Sequence, residues 1–241
     1  MLTEMSFQAA ATFTLNSPDA LQVLQQVATS APTSETPVTA AEFIREVGLK
    51  CISFNGIPRT INCLGAFRAG LPAEVGSQLS TQPTRQVTES NLDRLNKRGR
   101  ALWDSVYVPF NVKLYEKLGE SHPDLPVHIL GSHYGPLLSN PEERSGLGTV
   151  GRSLTSILAI ACLRAQTGVG PQVLSHVFGL RKAVKQGAHE TEFDNAEEVA
   201  AVARLASDEG SEWILKSIDR IYEAIGPSFA PGKELGRESK L

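Results

Sequence analysis

The apolar residues of this chain recur at helical spacing in segment after segment, and glycines and prolines punctuate those segments where hairpin turns would be expected in a β protein. Ser17 and Pro18 open one run in which Leu21, Leu24 and Val27 share a face. Thr39-Ala40-Ala41-Glu42 has capping-box spacing and predicts a helix over about 39–54, stopped by Asn55-Gly56-Ile57. The next helix starts at Pro58 and runs to about Arg68, where Gly70 and Pro72 end it. One or two helices cover 91–118. Residues 121–148 open helically and pass into a Gly/Pro-rich loop. Arg152 to Arg164, Pro171 to about Gln186, Asp194 to about Ala206 and Glu209 to Ile225 complete the set. Residues 78–88 are polar with a proline and read as a mobile linker. Seven to ten helices and no strand pairing predict an all-α fold.

Composition narrows the class further. Of 241 residues, 41 % are hydrophobic and 20 % charged, enough to bury a core, and the formal net charge is −3. The densest basic run is Asn96-Lys97-Arg98-Gly99-Arg100, too short for a phosphate-binding face, so no nucleic-acid partner is expected. The longest apolar run, Leu154 to Leu163, would span about 15 Å as a helix, half a bilayer core, which predicts a buried helix and no membrane span. The first residues lack the positive flank and apolar core of a secretory signal. Cys51, Cys63 and Cys162 are widely spaced, with no CxxC and no Cys/His cluster, so no metal site and no cofactor are expected.

Two stretches share one form. Residues 45–72 and 155–187 each run as an apolar helix, a Gly-containing turn, a proline and a second helix, with Pro58 matching Pro171 and Asn62 matching Ser175. Either the chain repeats one helical hairpin or two unrelated hairpins share ordinary turn chemistry. "REVGLKCISFNGIPRTINCLGAF" resembles the helix–YxGxP–helix stretch of the carboxymuconolactone decarboxylase family, of the alkylhydroperoxidase-D-like fold, with Phe54 in place of the usual Tyr. Residues 151–199 are similar to that family's other signature, an Arg before an apolar helix and a His on the next, here Arg152 and His176. The likeness is nearest to fungal peroxisomal members. It implies an AhpD-like helical fold with two related hairpins and a homo-oligomer. The family's peroxidase branch carries Glu-x11-Cys-x2-Cys-x3-His. Counted back from His176, those positions hold Gln172, Val169 and Ile157, so peroxide reduction through that motif is not expected. The decarboxylase branch implies a cofactor-free proton transfer on a small carboxylate, lactone or acyl compound, with His176 as proton shuttle and Arg152 as anion clamp.

Each candidate residue has a plainer reading beside the functional one. His176 is a general acid/base or a core histidine with one hydrogen bond. Arg152 is an anion clamp or a helix-end cap paired to Glu142 or Glu143. His133 and Tyr134, before Gly135-Pro136, line a cavity or belong to an ordinary loop, and Ser156 and Ser175 are pocket candidates by position. Trp103 and Tyr107, at i and i+4, read as core or subunit interface. Cys51 and Cys63 flank the 55–58 turn and are either buried hydrophobes or a facing redox pair. Arg59 and Asn62 are open to a pocket or a partner subunit. A non-catalytic protein that binds a metabolite or partner is the alternative to an enzyme.

The sequence closes on Ser239-Lys240-Leu241, which matches a peroxisomal import tripeptide read by a receptor at a chain end, and the polar stretch before it suits an exposed tail. The expected organisation is an N-terminal extension with one helix (1–38), an AhpD-like domain (39–225) and a flexible tail (226–241) addressed to the peroxisomal matrix.

Overall fold

The structure is a computed structural model that describes residues 2–30, 36–144 and 148–226; Ser239, Lys240 and Leu241 lie outside the described residues. The fold is all-α, and no strand occurs among the described residues.

Its centre is a helix the sequence reading did not place there. α1 (Leu2–Thr14) is buried from Met5 to Phe7 and from Ala9 to Thr14. Ala9, Ala10 and Ala11 let α10 (Arg152–Gln166) approach closely, and the Cys162 thiol reaches the Ala10 carbonyl at 3.8 Å. Thr12 and Thr14 can stand in this apolar setting because their hydroxyls bond back to Gln8 and Ala10 carbonyls, each at 2.7 Å. Among the described residues two helices, α1 and α2 (Pro18–Ala28), precede α3 where one was expected, and α1 belongs to the core. α3 (Pro37–Lys50), α4 (Ile52–Asn55), α5 (Ile57–Gly70) and the short α6 (Ala73–Gly76) follow on one side of it.

α10 is buried from Ser153 through Cys162, as its unbroken apolar run requires. α11 (Gly170–Lys185) packs along it, and α12 (Ala196–Leu205) and α13 (Asp208–Ile225) close the bundle over α1. Glu192, between α11 and α12, and Glu198, in the first turn of α12, satisfy two helix starts. Both carboxylate oxygens of Glu192 accept from the Ser153 amide at 2.8 Å, and Glu198 accepts from the Leu2 and Thr3 amides at 2.7 and 3.1 Å.

The remaining helices form a second, smaller packing unit. α7 (Leu92–Tyr107), α8 (Asn111–Ser121) and α9 (Asp124–His128) lead into Ile129–Leu138, where a loop was expected. That segment is a π-helix instead. Pro136 would clash with an α-helical carbonyl four residues back, and the wider turn accommodates it, as the Ser139 amide to Tyr134 carbonyl bond at 3.2 Å illustrates. α7 and the π-helix touch where Gly99 meets Gly135: a Cβ on Gly99 would lie 2.6 Å from the Gly135 amide nitrogen. Trp103, Tyr134 and Leu138 form the core of this unit.

Residues 78–88 are anchored rather than mobile. Arg85 pairs with Glu46, whose carboxylate is buried and also meets Arg144 Nε at 3.1 Å, while the Ser80 amide donates to Glu42 at 2.5 Å. Lys50, fully buried, donates at 2.6 Å to the Leu138 and Val150 carbonyls and to Asn140 Oδ1, tying the end of the π-helix to α3. Burial is the main reason its pKa falls to about 7. Nothing in the polar run 78–88 announces that Ser80 and Arg85 find buried partners 38 and 39 residues away.

Candidate functional site

A cavity of about 550 Å³ lies between α4, α7, α8, the π-helix, α10 and α11. Four of the sequence candidates line it: His176 and Ser175 from α11, and His133 and Tyr134 from the π-helix. His133 and Tyr134 enter the lining from the π-helix, which packs along α7, so the cavity-lining reading of this pair holds. Phe54, Trp103 and Tyr107 complete its aromatic wall. Phe54 meets the His176 ring edge-on at 5.9 Å, and Trp103 packs against Tyr107 and Tyr134 at 4.4 and 5.2 Å. Trp103 and Tyr107 look like plain packing residues in the sequence. Their i, i+4 spacing was the signal, and the structure gives Tyr107 a polar task as well.

That task is a hydrogen-bond relay. Tyr134 donates its hydroxyl to Tyr107 at 3.2 Å, and the Tyr107 hydroxyl stands 3.5 Å from His176 Nε2. His176 is buried, and its Nδ1 has no partner. Burial first, and the Arg152 charge second, lower its pKa to about 4, so the ring is neutral at physiological pH. Burial also raises both tyrosines, Tyr134 the more strongly, so the hydroxyls keep their protons. At the other side His133 Nδ1 meets the Ser53 hydroxyl at 3.0 Å, and burial lowers its pKa. The Ser175 hydroxyl donates to the Pro171 carbonyl of its own helix at 2.9 Å.

Arg152 and Ser156 stand behind the wall. The guanidinium donates to Ser156 Oγ at 2.7 Å and to the Ser105 and Gly179 carbonyls at 3.1 and 2.8 Å. It neither caps the helix nor pairs with Glu142, whose partner is Arg94. Its direct contacts are neutral; the Glu192 carboxylate acts on this partly buried charge through space, and the charge in turn acts on Tyr107, Tyr134 and His176. The charged residue in the lining is Lys117, exposed on α8.

The thiols are elsewhere. Cys51 Sγ lies 3.5 Å from Cys162 Sγ, and Cys63 contacts Asn16 Oδ1 at 3.6 Å, so of the two readings of Cys51 and Cys63 the buried hydrophobes hold and the facing pair does not form. All three are free and buried; burial pushes Cys51 well up and Cys63 to about 11, which suppresses the reactive thiolate. No group of three or more metal-ligating side chains occurs among the described residues, and none of their helices is long and apolar enough to cross a membrane.

The chain is similar to Peroxisomal protein 2 of Saccharomyces cerevisiae (strain ATCC 204508 / S288c), 29 % identical over 154 residues, which cover 56 % of this chain and 52 % of that protein. The chain thus spans about half the length of the curated relative it matches. No protein-family model matches it. No solved structure matches it.

Proposed function

We propose that this is a peroxisomal protein whose aromatic cavity takes a small, largely apolar carboxylate, lactone or acyl compound, and that His176 with Tyr107 handles a proton there without a cofactor. The observation that carries this reading is the convergence of His176, Tyr107 and Tyr134 on one cavity backed by the Arg152 charge. Neutral His176 accepts a proton at Nε2, protonated Tyr107 donates to a ligand oxygen, and Tyr134 holds Tyr107 in place. The 3.5 Å gap between Tyr107 and His176 is the length an unliganded relay has before a substrate draws it tight. Arg152 does not grip the ligand. It acts at a distance, lowering the cost of negative charge on the ligand oxygen or on Tyr107. The resemblance to carboxymuconolactone decarboxylases supports the same chemistry, and so do the matched positions Arg152 and His176.

A second reading, binding without turnover, is favoured by the low basicity of His176, since a base near 4 drives proton abstraction weakly. The test compares wild type with His176→Gln and Tyr107→Phe, titrating hexanoate, γ-hexalactone and benzoate by tryptophan fluorescence and following lactone or carboxylate loss by chromatography. Turnover lost in both variants with melting unchanged supports the enzyme. Saturable binding with no turnover in wild type supports the binding protein. No ligand perturbing the fluorescence would sink both.

Location rests on the yeast relative's name and on the match of Ser239-Lys240-Leu241 to an import tripeptide. A fluorescent protein carrying residues 230–241 is expected in peroxisomes, and removal of Leu241 is expected to disperse it. A homo-oligomer is part of the same proposal, supported by exposed Leu174 and Phe178 on α11, and sedimentation measures it directly.

A further inference from the structure

We propose that Ser53 and His133 form a nucleophile and base pair in the wall of the aromatic cavity, and that they hydrolyse a small apolar ester through an acyl-serine. The pair shares its cavity with the function proposed above. It rests on that cavity taking a ligand, and not on proton handling by His176 and Tyr107.

Ser53 belongs to α4 and His133 to the π-helix, 80 positions later, and both line the cavity. The Ser53 hydroxyl lies 3.0 Å from His133 Nδ1, within the reach of a nucleophile and its base. Both residues are partly exposed, so neither is sealed from the space they line. A serine in a helix often turns its hydroxyl back to the carbonyl four residues before it. Ser175, in the same lining, does this with Pro171, and Ser139 does it with Gly135. Ser53 instead meets a side chain of another element that can take its proton. The segment that brings this side chain is the π-helix, a geometry found often at functional sites.

The imidazole is ready to accept. Burial first, and His128 second, hold the His133 pKa below its ordinary 6.5, so the ring is neutral at physiological pH. His128 packs edge-on against it, with ring centroids 5.2 Å apart, and is itself bonded through Nδ1 to Ser132 at 3.2 Å. In the tautomer with its proton on Nε2, His133 presents Nδ1 as an acceptor to Ser53.

The surroundings name the substrate class. No carboxylate bonds to His133 among the described residues, so the imidazolium formed in the reaction has no anionic support. Such a pair suits an ester, whose oxygen leaving group departs far more easily than the nitrogen of an amide. Phe54, Trp103, Leu118, Ile129 and Leu163 make the lining largely apolar, and its volume of about 550 Å³ suits a small acyl group.

Water is the one co-reactant. Ser53 Oγ attacks the acyl carbon as its proton passes to His133 Nδ1. The bond from that carbon to the alcohol oxygen breaks, and the alcohol leaves with the proton from His133. Water then attacks the acyl-serine and gives a proton to His133. The acid departs as Ser53 recovers that proton, and nothing is oxidised or reduced.

The experiment treats wild type, Ser53→Ala and His133→Gln, each checked by circular dichroism, with an alkyl fluorophosphonate and maps the adduct by mass spectrometry. The reagent loses fluoride as its phosphorus bonds to an activated serine oxygen. One adduct is expected, on Ser53, absent from Ser53→Ala and formed at least about tenfold more slowly in His133→Gln; p-nitrophenyl hexanoate hydrolysis falls about a hundredfold in Ser53→Ala. If His133→Gln does not fold, the pH profile of wild-type labelling decides in its place. The rate is expected to fall below pH 6.5 as the ring takes up a proton, and a rate flat down to about pH 5 removes His133 as the base. The proposal is overturned by no adduct, by an adduct on another residue, or by equal labelling of wild type and His133→Gln. Tryptophan fluorescence that reports γ-hexalactone binding in a protein taking no label would remove the Ser53 and His133 pair alone and leave the function proposed above standing.

Discussion

Replacing Gly99 by alanine tests the geometry that builds the cavity. A Cβ there would lie 2.6 Å from Gly135 N, 2.7 Å from Gly135 Cα and 3.0 Å from the Tyr134 carbonyl carbon, all backbone atoms that cannot rotate away. Restoring ordinary contact requires α7 and the π-helix to part by about 1 Å. Overpacking of this kind costs about 1–3 kcal/mol, offset in part by about 1 kcal/mol of helix propensity gained over glycine. The net loss, up to about 2 kcal/mol, lowers the melting temperature by as much as roughly 8 °C in a chain of this size, whereas a glycine to alanine change without the clash raises it. The separation also breaks the Tyr134 to Tyr107 hydrogen bond and loosens Trp103, so ligand affinity falls and the tryptophan emission shifts red. Gly65→Ala is the control, because nothing lies within 4 Å of a Cβ at that position and α5 gains propensity alone. Thermal denaturation followed by circular dichroism and fluorescence compares them. If Gly99→Ala melts as high as Gly65→Ala, the two segments do not meet as described, and the cavity loses its wall.

Three further outcomes follow from buried groups. His176, near 4 in the fold against an ordinary value of 6.5, leaves the unfolded chain to take up the proton first; stability is complete above about pH 6.5 and falls as pH drops toward 4, by about 3 kcal/mol at most, and His176→Gln removes that slope from denaturant titrations. Glu46→Gln leaves Arg85 and Lys50 without their buried counter-charge and Arg144 with Glu42 at 3.8 Å, and costs about 3–5 kcal/mol, with new protease cleavage within 77–91; unchanged cleavage would contradict the anchoring of that segment. Cys51, Cys63 and Cys162 stay silent to a thiol reagent in the native protein and all react in denaturant; fast native labelling would revive a redox role.

What the sequence disclosed follows from what kind of signal each element leaves. α10, α11, α12 and α13 were legible because their apolar residues and caps are local, although the α12 cap is Asn195 rather than Asp194. α1 was missed for the opposite reason: buried on nearly every side, it has no polar face and so no periodicity. Gly131, Gly135 and Pro136 read as loop punctuation because nothing in one chain announces a π turn. His176, His133, Tyr134 and Ser175 stood out as polar groups among apolar neighbours and do share a cavity. Arg152 was legible as a residue but not as a role, because its partners Ser105 and Gly179 are far along the chain.

The central position of α1 has a temporal consequence. Its contacts with Cys162 and Glu198 join residues 152 and 196 positions apart. At ~5–20 residues per second, a ribosome delivers α10 roughly 8–30 seconds after α1. Throughout that wait the helix destined for the middle of the molecule has no partner to cover it. Assembly of the bundle is therefore a late, nearly all-at-once event, and the nascent chain is a client for whatever shields apolar segments during synthesis.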